Sequence, residues 1–246
     1  MIESFDILIV SHRKDFQKLS MVVNSIKSNI IGFDKIHIIS NEKLLSDDPR
    51  VVIHDENDVL KVDLNRIKYR PKWIYQQLLK LLQTVTNKWY LVIDADTIIT
   101  KELSPIANGN GKFYFNQNSQ NYEPYFNFSN KLKVPKSEDN TFISEIMLFN
   151  RDYIKELFSM NDLNTTEDIL EFIYENVDET SQLSEYELYG NFIKKYHSDE
   201  YEDKYINSWG FREGLYDETF WNEQRMKVMY EVYGKRFDVM SFHTYN

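Results

Sequence analysis

With 246 residues, 42% of them hydrophobic and 28% charged, the chain holds enough apolar material for one sizeable core and lies outside the composition of disordered segments. A formal charge of -10 argues against a surface of clustered Lys and Arg built for a phosphate backbone, so nucleic acid is not an expected partner. Cysteine is missing, which excludes disulfides and thiolate metal sites and leaves Asp, Glu, His and carbonyl oxygen to hold any cation.

The first predicted element is an apolar strand from Phe5 to Val10, followed by a helix over His12 to Asn29. No basic region precedes the strand and no apolar run approaches the roughly 18 residues of a membrane span, so a cytoplasmic protein without a transmembrane segment is expected. Lys35 to Ile39 and Val51 to Ile53 are two further strands, which gives the β-α-β grammar of an α/β protein. Pro71 suits the first turn of a helix, where its missing N–H is no loss. Trp73, Ile74, Gln77, Leu78 and Leu81 then recur at helical spacing and predict a helix from Lys72 to Thr84. Trp89-Tyr90-Leu91-Val92-Ile93 is continuously apolar, as a parallel strand covered on both faces must be, and belongs at the centre of the sheet.

Between Asn116 and Asn140 the chain is rich in Asn, poor in aliphatic residues and punctuated by Pro124 and Pro135, which predicts a long loop over the sheet's edge. Beyond it come a strand at Ile146 to Asn150 and helices at Asp152 to Met160, Thr166 to Asn176, Ser184 to Tyr196 and Glu218 to Tyr233. A last strand follows near Phe237 to Phe242.

Asp94-Ala95-Asp96 directly follows the central strand. Two carboxylates separated by one small residue can both reach a cation if the chain turns there, and Mg2+ or Mn2+ accepts such ligands together with phosphate oxygens. That chemistry suits a nucleotide diphosphate whose departing charge the cation offsets. The plainer alternative is that one Asp caps the next turn, a common task after a strand. Position favours the cation, because open α/β sheets bind ligands at the carboxyl ends of their strands, a rim that also gathers Ser11 and Asn41.

Tyr69-Arg70-Pro71-Lys72-Trp73-Ile74-Tyr75-Gln76-Gln77-Leu78-Leu79-Lys80-Leu81 and Tyr90-Leu91-Val92-Ile93-Asp94-Ala95-Asp96-Thr97 resemble the DUF6492 group of glycosyltransferase-like proteins, and a chlorovirus capsid-glycosylating GT-A domain is similar. In outline the resemblance runs from about Phe5 to the last strand, with the Gln-Gln-Leu-Leu-Lys helix and the Asp-Ala-Asp strand carrying it. It implies a GT-A fold, a nucleoside diphosphate sugar donor, UDP-linked by expectation, and a divalent metal held by the Asp-x-Asp pair. Asp94 then faces the ribose or reaches the metal through water, with Ala95 beside the nucleotide, and Asp96 is the direct ligand. The same resemblance implies a histidine within Ile143 to Phe149, where this chain carries Glu145.

Arg70, Gln77 and Lys80 lie on the helix before the metal strand, where cationic groups can offset diphosphate charge or simply face solvent. Ser11, His12, Arg13 and Asn41 stand where a GT-A enzyme grips base and ribose, although Ser11 equally suits a helix cap. Transfer to a hydroxyl calls for a general base, for which Glu187 is the first choice and Glu185 the second; Ser184 and Glu187 can also form a capping box with no catalysis. Many GT-A enzymes bring a histidine from the C-terminal segment back to the Asp-x-Asp site, which makes His243 a third metal ligand, unless it is merely exposed near the chain's end. Trp209, Phe211, Tyr216 and Trp221, around Gly210 and Gly214, can stack on an acceptor sugar or fill the core.

These readings combine into one α/β, GT-A-like domain over residues 1–246: a mixed central sheet, a Rossmann-like nucleotide-sugar half over about 1–100 and an acceptor half over about 101–246. The expected activity is metal-dependent transfer of a sugar from its nucleotide to a hydroxyl of a glycan or glycoprotein. Two rivals remain: a Mg2+-dependent nucleotidyltransferase or phosphatase, for which no Gly-rich phosphate loop is found, and a non-catalytic carbohydrate-binding protein.

Overall fold

In the computed structural model, which describes residues 4–107, 110–119, 122–137, 140–214 and 216–244, strand β1 (Phe5–Ser11) opens the chain and one turn of 3-10 helix leads into α1 (Phe16–Asn29). Next come β2 (Phe33–Ser40), β3 (Val51–Asp55), the short α2 (Glu56–Val59), α3 (Pro71–Leu82), β4 (Trp89–Ile93) and β5 (Thr97–Ile99). The second half carries β6 (Ile106–Ala107), β7 (Asn110–Ser119), α4 (Glu123–Lys131), β8 (Asn140–Thr141) and β9 (Ile146–Asn150). It continues through α5 (Arg151–Ser159), α6 (Thr166–Asn176), α7 (Glu185–Tyr196), β10 (Tyr201–Tyr205), β11 (Ser208–Phe211), α8 (Glu223–Tyr233) and β12 (Val239–Phe242).

The central five-stranded sheet has the order β3-β2-β1-β4-β9. All its pairs are parallel except β4 with β9. Alternation along the strands explains their unbroken apolarity. Leu8, Val10, Tyr90 and Val92 point into one core with Ile74, Leu78 and Leu81 of α3 and Leu188 and Phe192 of α7. Ile7, Ile9, Leu91 and Ile93 point into the other with Leu19, Val22 and Ile26 of α1 and Met226 of α8. Strand order reverses between β1 and β4, because the chain leaves β1 one way toward β2 and β3 and returns through α3 on its far side. Such a switch point opens a crevice outside the carboxyl ends of the two strands.

A small sheet, β11-β12-β5, stands beside this crevice. Its antiparallel pairing sets Ser241 of β12 opposite Thr97 and returns the C-terminal segment to the residues just after β4.

The segment expected as a long loop is partly ordered. β7 runs to Ser119 and α4 spans Glu123–Lys131, while residues 120, 121, 138 and 139 lie outside the described ones. Pro124 sits in the first turn of α4, where it costs no hydrogen bond. Phe128, Leu132 and Val134 enter the core, whereas Asn127 and Asn130, whose type suggested a loop, occupy the exposed side. α8 starts at Glu223 rather than Glu218, because the Asn222 side chain accepts from Arg225 N and caps it there. Among the described residues no helix is long and apolar enough to cross a membrane.

Candidate active site

The crevice is built first by what happens after β4. Asp94 N donates to the carbonyl of Glu145, the residue before β9, at 3.1 Å, and Thr97 N donates to Asp94 O at 3.0 Å, so the chain turns tightly and enters β5. The turn places the two carboxylates in different surroundings.

Asp94 faces α3 and α7. Its Oδ1 accepts from Lys80 Nζ at 2.6 Å and from Tyr186 OH at 3.0 Å. Lys80 is almost wholly buried and bridges to Glu185 Oε1, also at 2.6 Å, with its ammonium 4.9 Å from the centre of the Tyr186 ring. Burial alone would lower the Lys80 pKa, but Asp94 and Glu185 outweigh it and hold the ammonium well above the usual range. Burial and the nearby Asp94 raise the Glu185 carboxyl despite Lys80. Lys80 is thus committed to two carboxylates instead of standing free for a diphosphate, and its work is to fix Asp94.

Asp96 faces the C-terminal segment. Phe242 N donates to Asp96 O at 2.9 Å, and the His243 ring then lies with Nδ1 3.4 Å from Asp96 Oδ2. Burial pushes the Asp96 carboxyl upward, but the bond to His243 and the charges of Lys18 and Lys14 hold it below the usual range; His243 is raised in return, its burial outweighed by Asp96. Gly210 makes this seat possible, since a Cβ there would stand 2.7 Å from His243 Nε2. The segment is anchored from α1. Lys18 Nζ, with no exposed surface, donates to Phe242 O at 3.1 Å and to Thr244 Oγ1 at 3.2 Å and pairs with Asp15 at 2.8 Å. Lys14 Nζ donates to Thr244 O at 2.8 Å.

Glu145 completes the group. Its φ of 60° is the left-handed conformation that a non-glycine residue adopts at a cost of about 1–3 kcal/mol. Its Oε2 is buried without a hydrogen-bond partner. Burial has pushed the carboxyl up to about 7, with Asp94 and Asp96 raising it further and His243 opposing. In the sequence this position stands out only as a departure from the resemblance; the signal for it is an acid immediately before a strand that pairs with the Asp-x-Asp strand.

A cavity of about 570 Å³ adjoins the rim at the ends of β1, β2 and β3. His12, Lys14, Asn41, Glu56, Arg70 and Lys72 are among its walls. Burial, Lys14 and Lys72 lower the pKa of the His12 ring, with Asn41 opposing them. Ser11 Oγ, His12 Nε2 and Glu56 Oε2 are all buried without partners. Polar atoms stranded that way cost free energy unless a ligand or water satisfies them. Ser11 caps nothing, since the side-chain bond that role requires is absent.

Other expected residues lie elsewhere. Glu187 is buried, with Oε1 accepting from Thr141 Oγ1 at 2.6 Å and Phe142 N at 3.0 Å, and Oε2 from Asn191 Nδ2 at 3.2 Å. Its own N–H donates to Ser184 Oγ, the helix cap, but its carboxylate turns to Thr141, Phe142 and Asn191 and not back to Ser184 N, so only one of the two bonds of a capping box forms. Gln77 bonds back to Trp73 O within α3, and Gln76 lines the cavity in its place. Arg70 lines the cavity and donates to Ser181 Oγ. Phe211 and Trp221 are core, whereas Trp209 and Tyr216 are exposed. Among the described residues no three His, Asp or Glu side chains stand close enough to hold a cation unaided.

The model of a family described as "Family of unknown function (DUF6492)" matches residues 2–239. No curated protein matches the chain. Among solved structures, the apo WbbM bifunctional glycosyltransferase superposes with a TM-score of 0.51 at 13% identity, covering 100% of this chain and 47% of its own, so the chain spans about half of that protein. The galactosyltransferase LgtC, solved with donor and acceptor sugar analogs, gives 0.45 at 11% over 96% of this chain and 86% of its own. Mouse xyloside xylosyltransferase 1 in its apo form gives 0.45 at 9% over 97% of each. The likeness to WbbM shows the fold, a GT-A mixed sheet with flanking helices.

Proposed function

We propose that this chain, which belongs to the DUF6492 family, is a glycosyltransferase that moves a sugar from a nucleoside diphosphate to a hydroxyl of a glycan or glycoprotein. One observation carries the reading. The fold returns His243 to Asp96 at the switch point of the sheet, and Lys14, which bonds the neighbouring Thr244 carbonyl, also lines a cavity whose walls combine basic side chains with stranded polar atoms.

The donor set fits a hard divalent cation, Mn2+ or Mg2+, with Asp96 and His243 as protein ligands and diphosphate oxygens filling the shell that the protein does not close by itself. Such an ion, when bound, neutralises charge developing on the departing diphosphate. The remaining work belongs to the chain. Lys14, Arg70 and Lys72 line the cavity where the diphosphate charge lies. Asp94, locked by Lys80 and Tyr186, presents a fixed carboxylate to the sugar or ribose hydroxyls. Glu145 has an uncommitted oxygen, which Glu187 lacks, and takes the proton of the acceptor hydroxyl as the hydroxyl oxygen bonds the anomeric carbon and the bond from that carbon to the diphosphate breaks.

The test is thermal unfolding against nucleotide sugars with and without Mn2+. At about 100 times its Kd, the true donor raises Tm by roughly 5–10 °C. The shift requires the metal and disappears in Asp96→Ala. A shift that Asp96→Ala leaves intact would return the carboxylates to a structural role and favour a plain carbohydrate-binding protein.

A further inference from the structure

The cavity wall narrows the choice of nucleotide, an inference that rests on the transferase reading. Glu56 lies at the carboxyl end of β3 as the first residue of α2, and it lines the cavity together with His12 and Asn41 from the ends of β1 and β2. Its backbone carbonyl is occupied by Tyr75 OH at 3.0 Å, yet its side-chain Oε2 is buried without a partner. Burial and the neighbouring Asp55 raise the Glu56 carboxyl, and Lys72, on the same wall, opposes them with counter-charge. Asp55 supplies the side-chain cap of α2, so Glu56 has no capping duty. Glu56 is half-buried, but its shielded, unpartnered Oε2 is costly to leave unsatisfied, and it stands where the sheet presents its ligand.

An ionised carboxylate only accepts hydrogen bonds. The nucleobases divide sharply before such a group. Uracil presents an imide N–H on its pairing edge, and guanine presents a ring N–H with an amino group beside it. Cytosine and adenine present a bare ring nitrogen at the equivalent position, whose lone pair repels a carboxylate oxygen even where the amino group beside it donates to the other, so the discrimination rests on that ring nitrogen. We propose that Glu56 reads the pairing edge of the donor's base, admitting nucleotides with a ring N–H there, uridine or guanosine, and rejecting cytidine and adenosine. Discrimination of this kind comes as much from the penalty on the wrong base as from the bond to the right one. His12, whose Nε2 is likewise buried without a partner, is the second group on that wall left for the base or the ribose.

The test measures Mn2+-supported binding of UDP, GDP, CDP and ADP to the whole protein, to Glu56→Gln and to Glu56→Ala by calorimetry. Far-ultraviolet circular dichroism and Tm confirm that the variants fold, as expected because the Tyr75 bond to residue 56 is to its backbone. The expected result is that UDP or GDP binds roughly 10- to 100-fold more tightly than CDP and ADP, in line with what one well-placed base-edge contact is worth. The uridine and guanosine arms then decide between the two bases. Glu56→Gln, whose amide both donates and accepts, brings CDP to within about threefold of the preferred nucleotide, and Glu56→Ala erases the preference. CDP or ADP binding the unaltered protein as well as UDP and GDP overturns the proposal. So does a Glu56→Gln variant that weakens all four nucleotides equally, which would move Glu56 to the ribose. Failure of all four to bind, with metal present, is a different result, because it removes the nucleotide-dependent transferase reading beneath the proposal.

Discussion

Individual residues differ in how much the sequence reveals of them. Asp94 and Asp96 are legible because adjacency and position at a strand end are sequence properties. Their division of labour is not, since it depends on Lys80 and Tyr186 meeting one and His243 meeting the other. Glu187 shows the converse: a helix-start acid suggests a base equally well wherever it points, and here it points at the backbone of Phe142. Glu145 was legible only as a substitution for an expected histidine. Its unpaired oxygen now makes it the residue to test. Glu145→Gln keeps shape and the left-handed turn while removing the basic oxygen, and is expected to lower kcat by about 10²–10⁴-fold. KM for the donor and Mn2+ affinity, followed by electron paramagnetic resonance of the ion, should move less than about threefold. A variant that instead loses Mn2+ while turning over normally at saturating metal would make Glu145 a ligand and leave the base unassigned.

At the scale of elements, strands β4 and β9 and helix α6 match their expected bounds, because unbroken apolarity and a clean Thr165 cap are local signals. The α4 helix escaped because Asn-rich composition masked an apolar face that only tertiary packing makes evident. α1 was legible as a helix but not as an anchor. Nothing local says that Lys18 would be wholly buried, since its partners Phe242 and Thr244 lie more than two hundred residues away. Removing one partner of a buried pair costs about 3–5 kcal/mol, more than most surface changes could. Lys18→Met is therefore expected to lose stability of about that size in urea unfolding, and to weaken Mn2+ binding because the flanks of His243 come loose. Adding Asp15→Asn should restore part of the stability by removing the stranded carboxylate, but not the metal affinity. If the double variant recovered both, Lys18 would matter only as the neutraliser of Asp15 and not as the anchor of the C-terminal segment.

Over the whole molecule, the sequence reads as one domain with a nucleotide-sugar half over about 1–100 and an acceptor half beyond it, and packing ties the two halves together across that division. β4 lies between β1 and β9, so a chain cut near residue 105 would leave β4 an edge strand, open where β9 pairs with it, and would remove α7 from one face of the sheet and α8 from the other. One core takes Leu8 and Tyr90 from the first half and Phe149 and Tyr189 from the second; the other takes Ile7 and Leu91 with Leu148 and Phe242. Each is a single body crossing the supposed boundary, and the candidate site crosses it too, since Asp96 meets His243 and Lys80 meets Glu185. The whole chain is accordingly expected to melt in one cooperative transition, with calorimetric and van't Hoff enthalpies in agreement near roughly 170 kcal/mol at 60 °C. Residues 1–105 alone should show no such transition and no metal-supported nucleotide binding, because the fragment lacks both the strand that covers β4 and the histidine that faces Asp96. Two resolved transitions in the whole chain, or nucleotide binding by the fragment, would mean that the Rossmann-like half folds first and the second half docks onto a site already made.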